Sequence, residues 1–212
     1  MNYLYIDIET VAADPGDVDV DALLDKKRPK TYKKPESIEK WNADNRDEVL
    51  QRTALDSMAG RLWMIGVAKD DAPVTVLRSD ELDPYYLLDR LRDMTNGFQG
   101  RWVCHNGLGF DLPWLWRLAV REGLRGLPGR IPHDKWGKMV DDTATMWAAT
   151  DYRSYYSLDK IARYLGVGAK TEGVSGAEST RYWSEGRGDE FAAYCRNDVE
   201  LLRTIHGRMI GR

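Results

Sequence analysis

The sequence has few cysteines and histidines, and it has no long apolar run. Two cysteines, Cys104 and Cys195, and three histidines occur in 212 residues. Two cysteines alone cannot build a disulfide framework, and they suit a reducing compartment. The scarcity of both residue types argues against a structural zinc site. No apolar stretch approaches the roughly 20 residues of a transmembrane helix, and no secretory signal is recognisable. We therefore expect no membrane partner, and carboxylate ligands for any bound metal.

An excess of basic charge is also absent. The chain has 31 Lys and Arg against 34 Asp and Glu, which gives a formal net charge of −3. Because nucleic-acid-binding domains usually carry a basic surface, a nucleic-acid partner would have to be held locally, by a basic patch or by metal ions. The densest basic segment is 26–34, with six basic residues in nine. It fits contacts to phosphates and a solvated loop equally well.

The composition and patterning that are present indicate one soluble α/β domain over residues 1–212. Hydrophobic residues make up 42% and charged residues 31%, as in ordinary globular proteins, and the length fits one domain. Apolar and alternating runs predict strands at 2–8, 61–69, 73–78, 101–105 and 138–142. Helical spacing predicts helices at 80–94, 112–122, 157–165 and 189–209, the last capped by Asp189, with an irregular segment at 166–188. This order predicts a mixed five-stranded sheet flanked by helices, with the first three strands antiparallel.

The segment of about 12–54 differs in composition from the rest and is expected to be a charged insertion. It contains the basic run 26–34 and then the strongly charged stretch 37–51. We interpret it as a loop followed by a surface helix that begins near Pro35 or Glu36.

The first chemical feature is a pair of carboxylates, Asp7 and Glu9, at the end of the first strand. Residues i and i+2 of a strand point to the same side, so these carboxylates repel each other unless a cation lies between them. Taken alone, these two residues can be interpreted equally well as a pair of metal ligands or as solvated side chains at a strand end.

Two further acidic residues lie in structured contexts. Asp111 follows a buried strand and a glycine-containing turn, where aspartate is commonly an N-cap, although one oxygen can cap while the other binds metal. Asp198 lies on or beside the apolar face of the last helix, where an unpaired charge is costly. A metal ion or an arginine partner, Arg196 or Arg203, would remove that cost, and for Asp198 alone the arginine is favoured.

Together these carboxylates suit hard divalent cations. Oxygen ligands are what Mg²⁺ and Mn²⁺ prefer, and two such ions about 3.5–4 Å apart form a clamp for phosphoryl transfer. Tyr194, one turn before Asp198, could orient the attacking water through its hydroxyl. Asn106, at a strand end, suits a hydrogen bond to a phosphate or a nucleotide edge.

The motifs in this chain resemble, in order and context, those of the DnaQ-like, or DEDD, superfamily of 3′–5′ exonucleases. They are Asp7-Ile8-Glu9-Thr10, then Asn106 with Phe110-Asp111, then Tyr194-x-x-x-Asp198. The resemblance runs from residue 2 to about 208 and implies an RNase H-like fold. One branch of the superfamily has histidine five residues before the last aspartate, where this chain has Ala193, and the other has tyrosine four residues before it. The chain is similar to the tyrosine-bearing branch.

Within that branch, the chain resembles predicted exonucleases related to the proofreading domain of family B DNA polymerases, many of them from phages and bacteria. The supporting stretches are 53–56, 60–62, 157–160 and 168–170. The resemblance implies a cytoplasmic protein, bacterial or encoded by a phage in its host. Since 14 residues follow Asp198, we expect any polymerase or replication partner to be a separate protein.

The resemblance implies a two-metal hydrolysis that releases 5′-nucleotides from the 3′ end of DNA, with single-stranded ends preferred. The implied ligands of the two ions, Mg²⁺ or Mn²⁺, are Asp7, Glu9, Asp111 and Asp198. Tyr194 would position the water, and Thr10, Asn106 and Phe110 would contact the terminal nucleotide, although Phe110 fits the hydrophobic core better. For Asp141 and Asp142 a structural role is favoured over metal ligation.

Other functions stay open. An exoribonuclease or oligonucleotide nuclease differs by its contact with the 2′-hydroxyl, which no single sequence shows. A non-catalytic nucleic-acid-binding accessory of a polymerase is less favoured, because all four carboxylates and Tyr194 are present. Trp136 and Trp183 lie in irregular segments and could stack on a base, although core placement is the more common use of tryptophan.

Overall fold

A five-stranded mixed sheet forms the centre of the protein. The computed structural model describes residues 2–133, 138–151 and 155–212. The strands are β1 Tyr3–Val11, β2 Arg61–Lys69, β3 Thr75–Arg78, β4 Arg101–Cys104 and β5 Val140–Asp142, in the spatial order β3-β2-β1-β4-β5. The first three strands pair antiparallel, whereas β4 runs parallel to β1 and β5 parallel to β4. The predicted sheet and its antiparallel start are confirmed.

Helices flank this sheet. In the described residues they are α1 Val20–Lys27, α2 Pro35–Gln51, α3 Pro84–Met94, α4 Asp111–Arg121, α5 Thr143–Ala148, α6 Leu158–Leu165, α7 Ser179–Ser184 and α8 Gly188–Met209. Short 3-10 turns occur at Arg52–Leu55 and Gly176–Glu178. None of these helices is long and apolar enough to cross a membrane.

The sheet separates two hydrophobic layers because side chains alternate along β1. Leu4 and Ile6 belong to the cluster that includes α3 and α4. Tyr3 and Tyr5 belong to the cluster on the opposite face, which includes α6 and α8. Strand β1 is therefore buried on both faces, and this burial fixes the position of the side chains toward its C-terminal end.

Local signals set several helix ends as predicted. The Ser157 hydroxyl accepts from the Lys160 N–H at the start of α6, and Gly166 ends that helix in the left-handed conformation, with φ of 64°. Helix α2 begins at Pro35, where proline is tolerated because the first N–H of a helix needs no intrahelical acceptor.

The expected loop before residue 35 is partly wrong, because residues 20–27 are helical. The Asp19 carboxylate accepts from the Ala22 N–H and caps α1. Val20 and Leu24 are buried in a small cluster that includes α2 residues. This helix is stabilised by contacts with a later segment, which a local pattern does not contain.

The segment 166–188 was also predicted wrongly as irregular throughout, since it contains α7. That helix buries Tyr182 beside Phe191. Asp189 does not cap α8: the N-cap position is Arg187, and the Asp189 carboxylate accepts from Arg78 at 2.6 Å. Trp183 donates through its indole N–H to the Asp80 carbonyl, and Trp136 lies outside the described residues.

Candidate active site

On the face of β1 that carries Tyr3 and Tyr5, the aromatic residues are followed by carboxylates. Tyr3 and Tyr5 pack edge-on against His206 of α8, and Asp7 and Glu9 follow in the same alternation. Oxygens of Asp7 and Glu9 and the sulfur of Cys195 lie within 4.8 Å of one another. The two carboxylates of β1 therefore face α8 across a short gap.

Gly66 allows this close approach of α8 to the sheet. It pairs with Asp7 across the β1–β2 ladder. A Cβ at this position would lie 2.7 Å from Val199 Cγ2 and 2.9 Å from Cys195 Sγ, both on α8, and such distances are clashes. The missing side chain lets α8 lie directly over the strand that neighbours Asp7.

Asp111 joins the group from the other side of β1. It is the first residue of α4 and buried, and its Oδ1 accepts from the backbone N–H of Ile8 at 2.9 Å. Ile8 lies between the two carboxylates of β1, so this bond fixes α4 beside them. Phe110, not Asp111, holds the N-cap position, and the expected capping role of Asp111 is wrong.

Asp198 is buried on α8, but its partner is a lysine and not the expected arginine. Lys170 Nζ contacts Asp198 Oδ2 and also the Tyr194 hydroxyl, at 2.9 Å. Arg203 instead pairs with Glu200. Lys170 lies in a stretch that supported the family resemblance, but no pattern in the sequence assigned it to the site.

Burial raises the pKa of every carboxyl group in the cluster. Burial, with Asp198 nearby, raises the pKa of Glu9 to about 8, and burial raises the pKa of Asp111 to about 7. Burial, then Glu9, raises the pKa of Asp7 well above its ordinary value, and burial also raises the pKa of Asp198. The fold therefore disfavours ionisation of all four carboxyl groups unless cations bind beside them.

Lys170 and Tyr194 have shifted pKa values for related reasons. Burial acts to lower the pKa of Lys170, but the attraction of the Asp198 carboxylate and its hydrogen bond with the amine outweigh burial and raise the pKa, so the amine stays charged. Burial, with Glu9 and Asp198 close by, raises the pKa of the Tyr194 phenol, so its hydroxyl keeps its proton at neutral pH.

The donor set fits divalent metal ions. Asp198 Oδ1 is buried and has no hydrogen-bond partner among the described residues, which leaves one oxygen available in a cluster of carboxylates. Hard cations such as Mg²⁺ and Mn²⁺ take such oxygens. Burial raises the pKa of the Cys195 thiol well above its usual range, and a protonated thiol is a poor ligand for them.

All eight predicted site residues line one cavity of 220 Å³. These residues are Asp7, Glu9, Thr10, Asn106, Phe110, Asp111, Tyr194 and Asp198. Leu55, His105, Lys170 and Gly176 also line this cavity, and sequence reasoning assigned none of them to it. A larger cavity of 510 Å³ lies beside Trp102 and Ile131, but no described residue that lines it is acidic.

The three residues predicted to contact the terminal nucleotide differ in the contacts that they make within the protein. The Thr10 hydroxyl donates to the Ala54 carbonyl at 2.6 Å, which fixes a neighbouring turn. Asn106 adopts a left-handed conformation, with φ of 61°, and its Oδ1 accepts from the Tyr155 hydroxyl. Phe110 is half-buried, packs on the core beside Trp114 and also lines the cavity.

Asp141 and Asp142 have structural contacts. Asp142 is buried, caps α5 through the N–H groups of Ala144 and Thr145, and accepts from the backbone N–H groups of Asn106 and Leu108. This holds the loop that carries Asn106. Asp141 accepts from Arg101 at 2.7 Å, away from the cluster.

Among known proteins, one family model matches most of the chain. Residues 61–204 match the family model of predicted 3′–5′ exonucleases related to the exonuclease domain of PolB, a span that includes Asp111, Tyr194 and Asp198 but begins after Asp7 and Glu9. No curated protein matches the chain.

A solved structure shows the same fold. The family B DNA polymerase from the hyperthermophilic archaeon Pyrobaculum calidifontis superposes with a TM-score of 0.69 at 18% sequence identity. The match covers 99% of this chain and 24% of the polymerase chain, so the chain spans about a quarter of that protein. The mixed sheet with flanking helices thus has the RNase H-like fold of the polymerase exonuclease domain. On the family match, this chain belongs to the predicted 3′–5′ exonucleases related to the exonuclease domain of PolB.

Proposed function

We propose that the protein hydrolyses single-stranded DNA from the 3′ end, in the presence of Mg²⁺ or Mn²⁺, and releases 5′-nucleotides. The observation that carries this proposal is the convergence of Asp7, Glu9, Asp111 and Asp198 on one cavity, with an unpartnered buried oxygen on Asp198. Burial and mutual repulsion make such a cluster costly without cations. If these residues served only to stabilise the fold, their placement in one cluster would instead lower its stability.

The four carboxylates would hold two divalent ions, which when bound supply the positive charge that stabilises the attacking and leaving oxygens in phosphodiester hydrolysis. Tyr194 would orient the water by a hydrogen bond from its hydroxyl, which stays protonated because burial raises its pKa. Lys170, which donates to that hydroxyl, would fix its direction. Thr10, Asn106 and Phe110, on the cavity wall, would contact the terminal nucleotide.

The proposal extends to the organisation of the chain. Residues 1–212 would form one exonuclease domain in which about 12–54 is a charged insertion that carries α1 and α2. A polymerase or other replication protein is the partner that such a domain would serve, and the 3′ ends of its product strand would be the substrate.

The test uses 5′-labelled single-stranded DNA and RNA of the same sequence, with Mg²⁺, Mn²⁺ or EDTA. We expect a ladder that shortens from the 3′ end of DNA, and its loss in EDTA and in Asp7→Ala and Asp198→Ala. Asp71→Ala, which removes an exposed carboxylate, is the matched control and should keep full activity.

Four results would contradict the proposal. Cleavage that persists in EDTA would reject the role of the metal, and internal cuts would reject exonuclease action. Faster shortening of RNA than of DNA would replace the substrate with RNA. Tight binding of DNA without any hydrolysis would indicate a non-catalytic binding protein.

A further inference from the structure

The charged insertion forms a helical hairpin with its own small core. Val20 and Leu24 of α1 and Val49 of α2 are buried together, with half-buried Trp41 against them. The Arg46 guanidinium pairs with Asp21 across the two helices. We call residues 20–51 the arm, because its hydrophobic cluster contains only residues of this segment and the adjoining Val18.

The tip of the arm, residues 26–34, is basic and open to solvent. Its five lysines are all exposed, and none has a carboxylate partner in the described part of the chain. They are Lys26, Lys27, Lys30, Lys33 and Lys34. The nearest acidic residue, Asp25, is already paired with Arg28 at 2.6 Å. The tip therefore keeps a concentrated positive charge on a protein whose net charge is −3.

The base of the arm is joined directly to β1, the strand that carries Asp7 and Glu9. The Ala54 carbonyl accepts from the Thr10 hydroxyl, and the Thr53 hydroxyl accepts from the Ala13 N–H at 2.8 Å. A second cavity, lined by Glu48, Arg52 and Ala54 at this base, shares Thr10, Leu55 and Gly176 with the cavity of the carboxylates. The two cavities are therefore neighbours, and the base of the arm borders the candidate active site.

We propose that the arm binds the phosphates of the substrate strand upstream of the 3′ end that occupies the active site. The 17 residues of α2 span about 25 Å at the rise of an α-helix. A stacked strand has about seven phosphates over that length, so the basic tip is within reach of a long strand but not of an oligonucleotide of a few nucleotides. This inference rests on the proposed function for the identity of the strand.

The arm would thereby favour long strands over short ones. Lysines that neutralise phosphates release counterions, and each such contact on a single strand steepens the salt dependence of binding by about 0.7 in log–log slope. The contribution is independent of sequence, as a general exonuclease requires.

The experiment measures binding of a labelled single-stranded DNA of about 20 nucleotides, and of one of about four, across a salt series. The triple variant Lys30→Gln, Lys33→Gln, Lys34→Gln is compared with the control Arg90→Gln, Arg125→Gln, Arg208→Gln. The control removes the same charge from exposed positions elsewhere. All proteins carry Asp7→Asn so that the DNA stays intact, and circular dichroism verifies their helix content.

We expect the arm variant to bind the long strand more weakly, with a salt slope flatter by about 2, and to bind the short strand as before. Unchanged affinity and slope would overturn the proposal, as would an equal loss in the control or on the short strand. If the arm variant loses binding to vesicles of anionic lipid but not to DNA, the tip is a membrane contact and the proposal is wrong.

The same variants separate this inference from the proposed function. If the parent chain with intact Asp7 cuts no nucleic acid, but the arm variant still loses affinity for the long strand, the arm binds nucleic acid and the exonuclease proposal fails. If the parent chain cuts DNA and the arm variant has the same length dependence and affinity, the arm proposal fails alone.

Discussion

Lys170 supplies positive charge to a cluster of buried carboxylates. It contacts Asp198, which is 2% exposed, and the Tyr194 hydroxyl. A buried carboxylate that loses its cationic partner keeps the cost of desolvation without the compensation. The lysine therefore supplies part of the positive charge that a metal ion would supply to this cluster.

Replacing this lysine should destabilise the protein when no metal is present. We expect Lys170→Met to lower the free energy of unfolding in EDTA by about 1–3 kcal/mol, since a buried charged acceptor loses its donor, and Mn²⁺ to recover most of this loss. Urea denaturation with EDTA or Mn²⁺ measures both values. Lys160→Met, at an exposed lysine over the Tyr156 ring, is the control. Equal stability of Lys170→Met and its parent in EDTA would contradict the prediction.

The carboxylates should also make the metal-free protein less stable as pH rises. The pKa of Glu9 is about 8 in the fold against an ordinary 4.5, so the folded state binds this proton more tightly than the unfolded chain. The stabilisation is complete below the ordinary value and is lost as pH rises through about 8. Asp111, with a pKa raised to about 7, acts in the same direction.

Denaturation in EDTA at a series of pH values checks this sign. The parent protein should lose more free energy of unfolding between pH 4.5 and about 8 than Glu9→Gln, because the amide does not titrate. Parallel stability curves for the two proteins would show that Glu9 ionises normally in the fold.

At the scale of elements, the crossing of α8 over β2 decides the geometry of the site. Gly66 permits this crossing, and α8 carries both Tyr194 and Asp198. Asp142 has a comparable part on the other side, where it ties α5 to the loop of Asn106. Neither residue has to touch the substrate to be necessary.

We expect Gly66→Ala to lower the free energy of unfolding by about 1–3 kcal/mol through overpacking, and to reduce activity because α8 moves away from Asp7. Val199→Ala in the same chain should restore part of both, since Val199 Cγ2 is the nearest atom to the added methyl group, at 2.7 Å. Urea denaturation and the nuclease assay measure the two effects. Gly16→Ala, with no atom within 4 Å, should change neither, and a similarly harmless Gly66→Ala would refute the close crossing.

At the scale of the whole molecule, the net charge of −3 conceals a strong separation of charge. Four acidic side chains converge in one cavity, while the lysines of residues 26–34 gather at the tip of the arm. Metal ions at the first place and phosphates at the second would neutralise each separately. The overall charge is therefore a poor guide to what the protein binds.

Metal binding should stabilise the whole fold. An ion that binds only the folded state raises the free energy of unfolding by about 2.7 kcal/mol at a hundred times its dissociation constant. We expect Mn²⁺ to raise the melting temperature of the parent protein and of Asp71→Asn, but to have little effect on Asp198→Asn. Scanning calorimetry at a series of Mn²⁺ concentrations measures these melting temperatures. The same increase in Asp198→Asn would place the metal elsewhere.

Much of the fold and of the candidate site follows from local pattern. The strands β1 and β2 and the long helices have apolar runs or periodicities that are visible in the sequence. The eight predicted residues line one cavity because six of them lie on β1 or directly after its neighbour β4. The other two, Tyr194 and Asp198, lie within α8, which packs against the same sheet. The short helices α1 and α7 were missed because burial against distant segments, more than propensity, stabilises them.

The sequence by itself determined the order of the strands and long helices, the chemistry of the carboxylates and the presence of a basic run, since these depend on residue types and spacing along the chain. The tertiary structure alone decided that Lys170 and not an arginine contacts Asp198, that Gly66 admits α8, and that the basic run is the tip of an arm joined to β1. Each of these depends on contact between segments distant in sequence, and periodicity along a chain contains no information about such distances.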